Sequence, residues 1–498
     1  MYPRIILLTV FAFIFEHISL KAQSNKDFVL SPSVHKAYSD ITKMKLASGR
    51  QWLLLDKKNH NAWSFYLEGY ADMIQLLVTE DLIFYEKFLK NQDIRYSAIE
   101  NMDERSPYYK FLLAELKIQS AFVKLKFGNE LKASTDIIKA YKLLEKNALE
   151  HPNFISNQKT LGLLHILIGS TPESYLWVAN LLGLSGSIKK GISELENVVN
   201  KDSFYKDEAQ MILFLVQAYM LKINTNELQN FQKFVENNPD NQLFQFFLSS
   251  VLMKEGKGNL AFQLLEKNVV NYPFPIIDYL KGEIYLQKGM YVQAKVCYTS
   301  FLQKHKGINF IKDANYKLFL CCWLNNEEAK GLVFLENVTY QGRLIVESDK
   351  SAMKFSKSFL AKNSLYKNKQ RVLMKARLAF DGGFYEEAKQ ILLKWKESNF
   401  ELLSDKAEFN YRKGRIAQKL LETTISIAYF ERAILLSEKQ EFVYGALSAL
   451  QIGSIYQEKA MKETAKLYYK KAISFKNHEY KNSTDNKAKA ALNEMGYR

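Results

Sequence analysis

The stretch QIGSIYQEKAMKETAKLYYKKAISF, residues 451–475, carries Gly453, Tyr456, Ala465, Tyr469 and Ala472. Spacings of three and four place Gly453 with Tyr456, and Ala465 with Tyr469 and Ala472, on single helical faces. A short polar break separates the two patterns, so the stretch reads as two antiparallel helices joined by a turn. Small residues belong where such helices cross, and aromatic residues fill the space beside the crossing. The same order returns upstream. Gly414, Ala417, Ser426, Phe430 and Ala433 repeat it 39 residues earlier, and Ala376, Ala379, Gly383 and Ala388 another 38 before that.

A second block precedes these copies. Gly282, Tyr285, Gly289, Ala294 and Tyr298 mark one unit, and Ser249, Gly256, Ala261, Leu265 and Pro273 the one before. Leu215, Ala218, Phe231, Phe234 and Pro239 form a degenerate first copy; Pro239 and Pro273 are 34 residues apart. One such match is weak. Six in register resemble the tetratricopeptide repeat, whose period is about 34 residues. The fold class expected is all-α: a tetratricopeptide-type helix–turn–helix superhelix with a less regular helical N-terminal half. The expected division is a non-repetitive helical region over 24–204, three repeats over 205–308 and a diverged hairpin over 309–370. Three more repeats over 371–476 and a closing helix over 477–498 complete it. In the N-terminal half, amphipathic segments run over 33–55, 62–91, 108–127 and 131–147, with a break over 91–105. Ser483 or Thr484 is the expected cap of the last helix.

The chain begins with Arg4, an 11-residue apolar run from Ile5 to Phe15 and small residues near Ala22 to Ser24. That anatomy reads as a cleaved secretory signal over 1–23, the apolar run being too short to span a bilayer, with an amphipathic or buried first helix as the alternative. A periplasmic destination is the expectation. The three cysteines, Cys297, Cys321 and Cys322, are read as buried thiols, with a bond from Cys297 to one of the other two as the alternative.

The net charge is +16, yet only 11 of the 69 basic residues are arginine, and the lysines are interspersed with acids along helical patterns. Phosphate recognition by forked contacts favours arginine, so nucleic acid is not the expected partner. No phosphate loop, His-Glu-x-x-His pattern or nucleophile elbow is present. Gly183, Gly186 and Gly191 read as turns between helices, and His165 as a satisfied core residue. No catalytic, cofactor-binding or metal-binding residue is expected. The leading reading is therefore a scaffold for a protein or peptide. A peripheral protein handling lipid or an anionic polymer is the alternative, and an enzyme with an unrecognised site comes third.

Three stretches resemble a family of helical tetratricopeptide proteins, the outer-mitochondrial-membrane inclusion-body clearance proteins and their exported Bacteroidetes relatives. One runs from Gly162 to Leu195, with Pro172, Trp177, Leu182-Gly183-Leu184-Ser185-Gly186 and Gly191. Another is Ala376-Arg377-Leu378-Ala379-Phe380-Asp381-Gly382-Gly383-Phe384-Tyr385. The third runs from Tyr411-Arg412-Lys413-Gly414-Arg415 to Glu479-Tyr480-Lys481-Asn482-Ser483. The resemblance implies a fold, and adaptor-like work at a membrane surface for the eukaryotic members.

In such a superhelix the first helix of each pair lines the concave face, through repeat positions two, five, nine and 12. These map to Glu408, Tyr411, Arg415 and Gln418, to Gln370, Leu373, Arg377 and Phe380, and to Tyr279 and Glu283 upstream. Arg377 and Arg415 share position nine, where two guanidinium groups suit a carboxylate on an extended peptide. The structural alternative pairs Arg415 or Arg412 with Glu408.

Overall fold

A computed structural model describes residues 27–57, 60–171, 182–360, 364–440 and 442–497. The expected signal segment, Pro172 and Trp177 lie outside the described residues. Among the described residues are 24 α-helices and no strand. They pair along the chain: α1/α2 (Pro32–Thr42, Leu46–Lys57), α3/α4 (Ala62–Thr79, Leu82–Glu100), α5/α6 (Pro107–Lys126, Glu130–Glu150) and α7/α8 (Asn157–Gly169, Ile188–Lys201). Next come α9/α10 (Lys206–Tyr219, Thr225–Glu236), α11/α12 (Gln242–Lys254, Gly258–Glu266), α13/α14 (Ile276–Gln287, Tyr291–Lys304) and α15/α16 (Ile311–Leu324, Glu328–Tyr340). After a single helix, α17 (Glu347–Leu360), follow α18/α19 (Ser364–Asp381, Tyr385–Leu393), α20/α21 (Leu403–Lys419, Thr423–Ser437), α22/α23 (Val443–Glu458, Lys462–Ser474) and α24 (Lys481–Glu494). The chain is an all-α stack of tetratricopeptide-type hairpins.

The small residues sit where the hairpins cross. A Cβ on Gly282 would lie 3.0 Å from the Tyr298 ring, one on Gly414 2.6 Å from Phe430, and one on Gly453 2.7 Å from Tyr469. Glycine at position eight thus receives the aromatic ring at position 24 three times over. Overfilling a packed crossing costs about 1–3 kcal/mol, so Gly453→Ala is expected to lower the urea midpoint of the last hairpins accordingly. An unchanged midpoint would show that the ring can yield. The same device joins α7 to α8, where a Cβ on Gly191 would lie 2.3 Å from the Gly162 carbonyl oxygen. Gly191 therefore serves a helix crossing, whereas Gly183 occupies a turn with φ +71°.

Several expected boundaries move. The segment 33–55 is broken at Met44 (φ 65°), and 62–91 at Glu80 (φ 53°), both left-handed non-glycine residues. Asp81 then caps α4 by accepting from the amides of Ile83 and Phe84 at 2.8 and 3.0 Å, and α4 runs through residue 91 to Glu100. Neither Ser483 nor Thr484 caps the last helix: α24 begins at Lys481 behind left-handed Tyr480, which leaves both inside its first turn.

The hairpins do not stack in simple chain order. Val251 and Ala261 share a core with Ala376 and Ala388; α18 packs along α13, and the α18–α19 turn meets the α11–α12 turn. The intervening helices gather around Tyr298, Phe319, Trp323 and Phe359. At the joint the two turns touch through backbone, and the Gly258 amide donates to the Gly382 carbonyl at 3.2 Å.

The N-terminal hairpins also curl back. Lys43 and Lys45 bind Asp240 at 3.0 and 2.9 Å, and the Asn271 side chain donates to the Lys43 carbonyl at 2.7 Å. Glu80 accepts from the amides of Ile308 and Asn309, each at 2.8 Å, and pairs with Lys126 at 2.7 Å. The curl encloses a cavity of about 960 Å3.

Candidate functional site

Because Ala376, Ala379, Gly414 and Ala417 turn toward packed neighbours, the opposite turns of α18 and α20 present their longer side chains together. Arg415 lies with its guanidinium carbon 4.9 Å from the Phe380 ring centre and 5.9 Å from that of Tyr411. It donates to the Tyr411 hydroxyl at 3.0 Å. Among the described residues Arg415 has no ion-pair partner, and its Nε is buried without a hydrogen bond. The Phe380 ring and the Tyr411 hydroxyl hold the group in place, with one arm of its fork spent on that hydroxyl and no carboxylate on the rest.

Glu408 and Arg412 form the expected pair one turn apart, with Nε and Nη2 of Arg412 at 2.9 and 2.6 Å from one carboxylate oxygen. Burial works to raise the Glu408 carboxyl, but the Arg412 charge and the Tyr444 hydroxyl outweigh it and hold the group below its ordinary range. Arg377 is 53% exposed, and its Nε stands 3.5 Å from Asp381. Its charge acts on Glu408, Tyr444 and Tyr316, so α15, α18, α20 and α22 contribute to one face. Gln418 is half-buried at the end of α20, where its carbonyl accepts from the Leu421 amide.

Tyr279 and Glu283 stand elsewhere. Tyr279 is buried and donates to Asp313, while Glu283 accepts from the Tyr298 hydroxyl and from Lys317, both at 3.0 Å. Burial pushes the Asp313 carboxyl up to about 6 against the pull of Lys317. Asp313 and Lys317 belong to the diverged hairpin, which lacks the small-residue signature. Their four-residue spacing was the available signal. Tyr444, one residue into α22, had none.

His165 is buried, with Nδ1 2.6 Å from Glu194 and Nε2 3.3 Å from Glu145. The three cysteines are free thiols. Among the described residues no cluster of three or more His, Cys, Asp or Glu could hold a metal, and no helix is long and apolar enough to cross a membrane.

A family model described as tetratricopeptide repeat matches residues 447–478, which span most of α22/α23. Two solved structures are similar over most of their length. The human IFIT1 dimer with PPP-AAAA is 14% identical, with 96% of this chain and 98% of that chain covered and a TM-score of 0.30. The P58(IPK) TPR domain is 13% identical, with 84% of this chain and 99% of that chain covered and a TM-score of 0.20. No curated protein matches the chain.

Proposed function

We propose that this chain is an exported, non-catalytic tetratricopeptide-type scaffold that holds an extended, carboxylate-bearing peptide against α18, α20 and α22. The observation that carries the reading is Arg415, a guanidinium over the Phe380 ring and hydrogen-bonded to the Tyr411 hydroxyl, with no carboxylate of its own among the described residues. Arg377, more than half exposed on the preceding inner helix, supplies the second positive charge. A guanidinium beside the partly exposed Phe380 ring suits a carboxylate flanked by apolar side chains. The neighbouring Glu408–Arg412 pair is self-satisfied and sets the face rather than the ligand. The periplasmic setting rests on the signal-type anatomy of residues 1–23 and on the likeness to exported Bacteroidetes relatives of the inclusion-body clearance proteins.

Fluorescence anisotropy with a labelled extended peptide, ending either in a free carboxylate or in an amide, tests the site. Amidation and the Arg377→Ala/Arg415→Ala double change are each expected to weaken binding about tenfold or more, the worth of a charge-assisted hydrogen bond. Equal binding by the double variant would remove the groove assignment. A mature chain isolated with residues 1–23 still attached would remove the export.

A further inference from the structure

The cavity behind the N-terminal curl is a different place from the arginine-bearing face, and its walls have a different chemistry. The inner helices of successive hairpins each contribute a half-buried apolar side chain: Leu77 from α3, Phe122 from α5, Leu163 from α7, Leu215 from α9 and Phe247 from α11. Phe274, just before α13, adds another. Side chains of this kind stay half-buried inside a packed protein only where they border open space. At about 960 Å3 the space stands at the upper end of the roughly 300–1,000 Å3 typical of ligand sites.

The charged groups on the wall cancel, four lysines against four carboxylates. Three of those lysines are already engaged. Lys159 binds Glu115 and Glu208 at 2.8 and 3.0 Å, Lys126 binds Glu80, and Lys43 binds Asp240. The fourth, Lys206, is exposed at the start of α9. Tyr38 spends its hydroxyl on Glu208, and Thr160 donates to Glu115. Among the described residues such a wall holds no unpaired buried lysine for an anionic group, and few open donors or acceptors. Water filling the space would meet mostly hydrocarbon, and a peptide would bring an amide and a carbonyl with every residue and leave them unpaired. A hydrocarbon chain brings neither.

We propose that this cavity is a binding site for the hydrocarbon chain of a lipid, taken up by shape and apolarity, with any charged headgroup left outside. The site is separate from the peptide face, so either assignment can fail without the other. Leu163 lies one turn beyond Lys159 on α7 and Leu215 lies on α9, and both border the space, so substitutions there act on what fills it.

The uncharged fluorophore N-phenyl-1-naphthylamine is the probe, titrated into the mature chain and displaced by decanol, dodecanol, tetradecanol or dodecanoate. Saturable binding at one site is expected, with displacement strengthening along the alcohol series and dodecanol at least matching dodecanoate. Leu215→Glu, which places a charge in the space, is expected to weaken dodecanol about tenfold or more. Leu163→Trp fills the space without charge and is expected to move the preferred alcohol to a shorter chain. The Arg377→Ala/Arg415→Ala variant is expected to bind as the parent does. Solvent extracts of the purified protein should contain lipid in near-stoichiometric amount, and vesicle lipid should compete where a free chain does. Absence of saturable binding, displacement by an apolar peptide but not by alcohols, or a Leu163→Trp variant with an unchanged chain-length preference would each overturn the proposal. Should Leu215→Glu fail to fold, the Leu163→Trp preference decides.

Discussion

Gly383→Ala is expected to cost the protein more than about 4 kcal/mol, the range reached only when a substitution breaks packing outright. A Cβ at that position would lie 1.6 Å from the carbonyl oxygen of Gly256, nearer than any non-bonded atom can stand. Both partners are backbone, so no side chain can rotate away. Either the α18–α19 turn or the α11–α12 turn must withdraw, and the core shared by Val251, Ala261, Ala376 and Ala388 opens with it. The residue also has φ +82°, which adds about 1–2 kcal/mol for any residue with a Cβ. Gly183 separates the two contributions, because it has φ +71° with no atom within 4 Å. Gly183→Ala should therefore lose only the conformational part. Stacked hairpins often unfold in stages, so hydrogen exchange is the better measurement. Amides of α11, α12, α18 and α19 should lose protection together in the Gly383 variant. Equal losses in the two alanine variants would show that the joint is loose.

Glu80 should carry the second largest effect. Its carboxylate is almost fully buried, accepts from two backbone amides across the chain and pairs with Lys126, with His305 beside it. Burial alone would raise this carboxyl, but His305, Lys126 and the Asn309 amide outweigh it and bring it from 4.5 down to about 2. A carboxyl depressed by folding stabilises the native state fully above its unfolded value near 4.5. That contribution fades as pH falls from there toward 2. A tenfold change in proton affinity is worth about 1.4 kcal/mol, so a depression of this size stabilises the fold by roughly 3 kcal/mol. Glu80→Gln keeps the shape and removes the charge. At pH 7 it is expected to lose about that amount in urea unfolding, and to flatten the acid limb of stability between pH 4.5 and 2. A glutamine variant as stable as the parent at pH 7 would show that the N-terminal curl does not depend on this carboxylate.

Much of the helical pattern was legible because helix crossings constrain side-chain size locally. Gly282, Gly414 and Gly453 had to be small for Tyr298, Phe430 and Tyr469 to fit, and that requirement repeats along the chain as a period. The Glu408–Arg412 pair was legible for a similar reason, since four residues span one helical turn. The diverged hairpin expected within 309–370 followed from apolar periodicity alone, and the structure places α15, α16 and α17 there. Tyr279 shares repeat position five with Tyr411, and both are buried, yet their partners differ: Asp313 arrives from the next hairpin and takes the Tyr279 hydroxyl, while Arg415 of its own helix donates to that of Tyr411. A position within a repeat states which way a side chain leaves its helix. It does not state whether another helix is waiting there.

The sequence by itself determined the secondary structure and the hairpin as the building unit, because both arise from interactions within about 30 residues. Its short-range spacings also marked the arginines at position nine. Tertiary structure alone decided where Met44 and Glu80 break their helices, since neither residue prefers a left-handed backbone and Glu80 holds it while bound to amides more than 200 residues away. It decided too that α18 packs along α13 rather than on α17, with the α18–α19 turn held against the α11–α12 turn by the backbone contact of Gly256 with Gly383. The lone guanidinium of Arg415 and the apolar cavity have the same origin. Both are made by side chains from different hairpins, Phe380 of α18 with Arg415 of α20 and Leu77 through Phe247 around the cavity, and stacking brings them together.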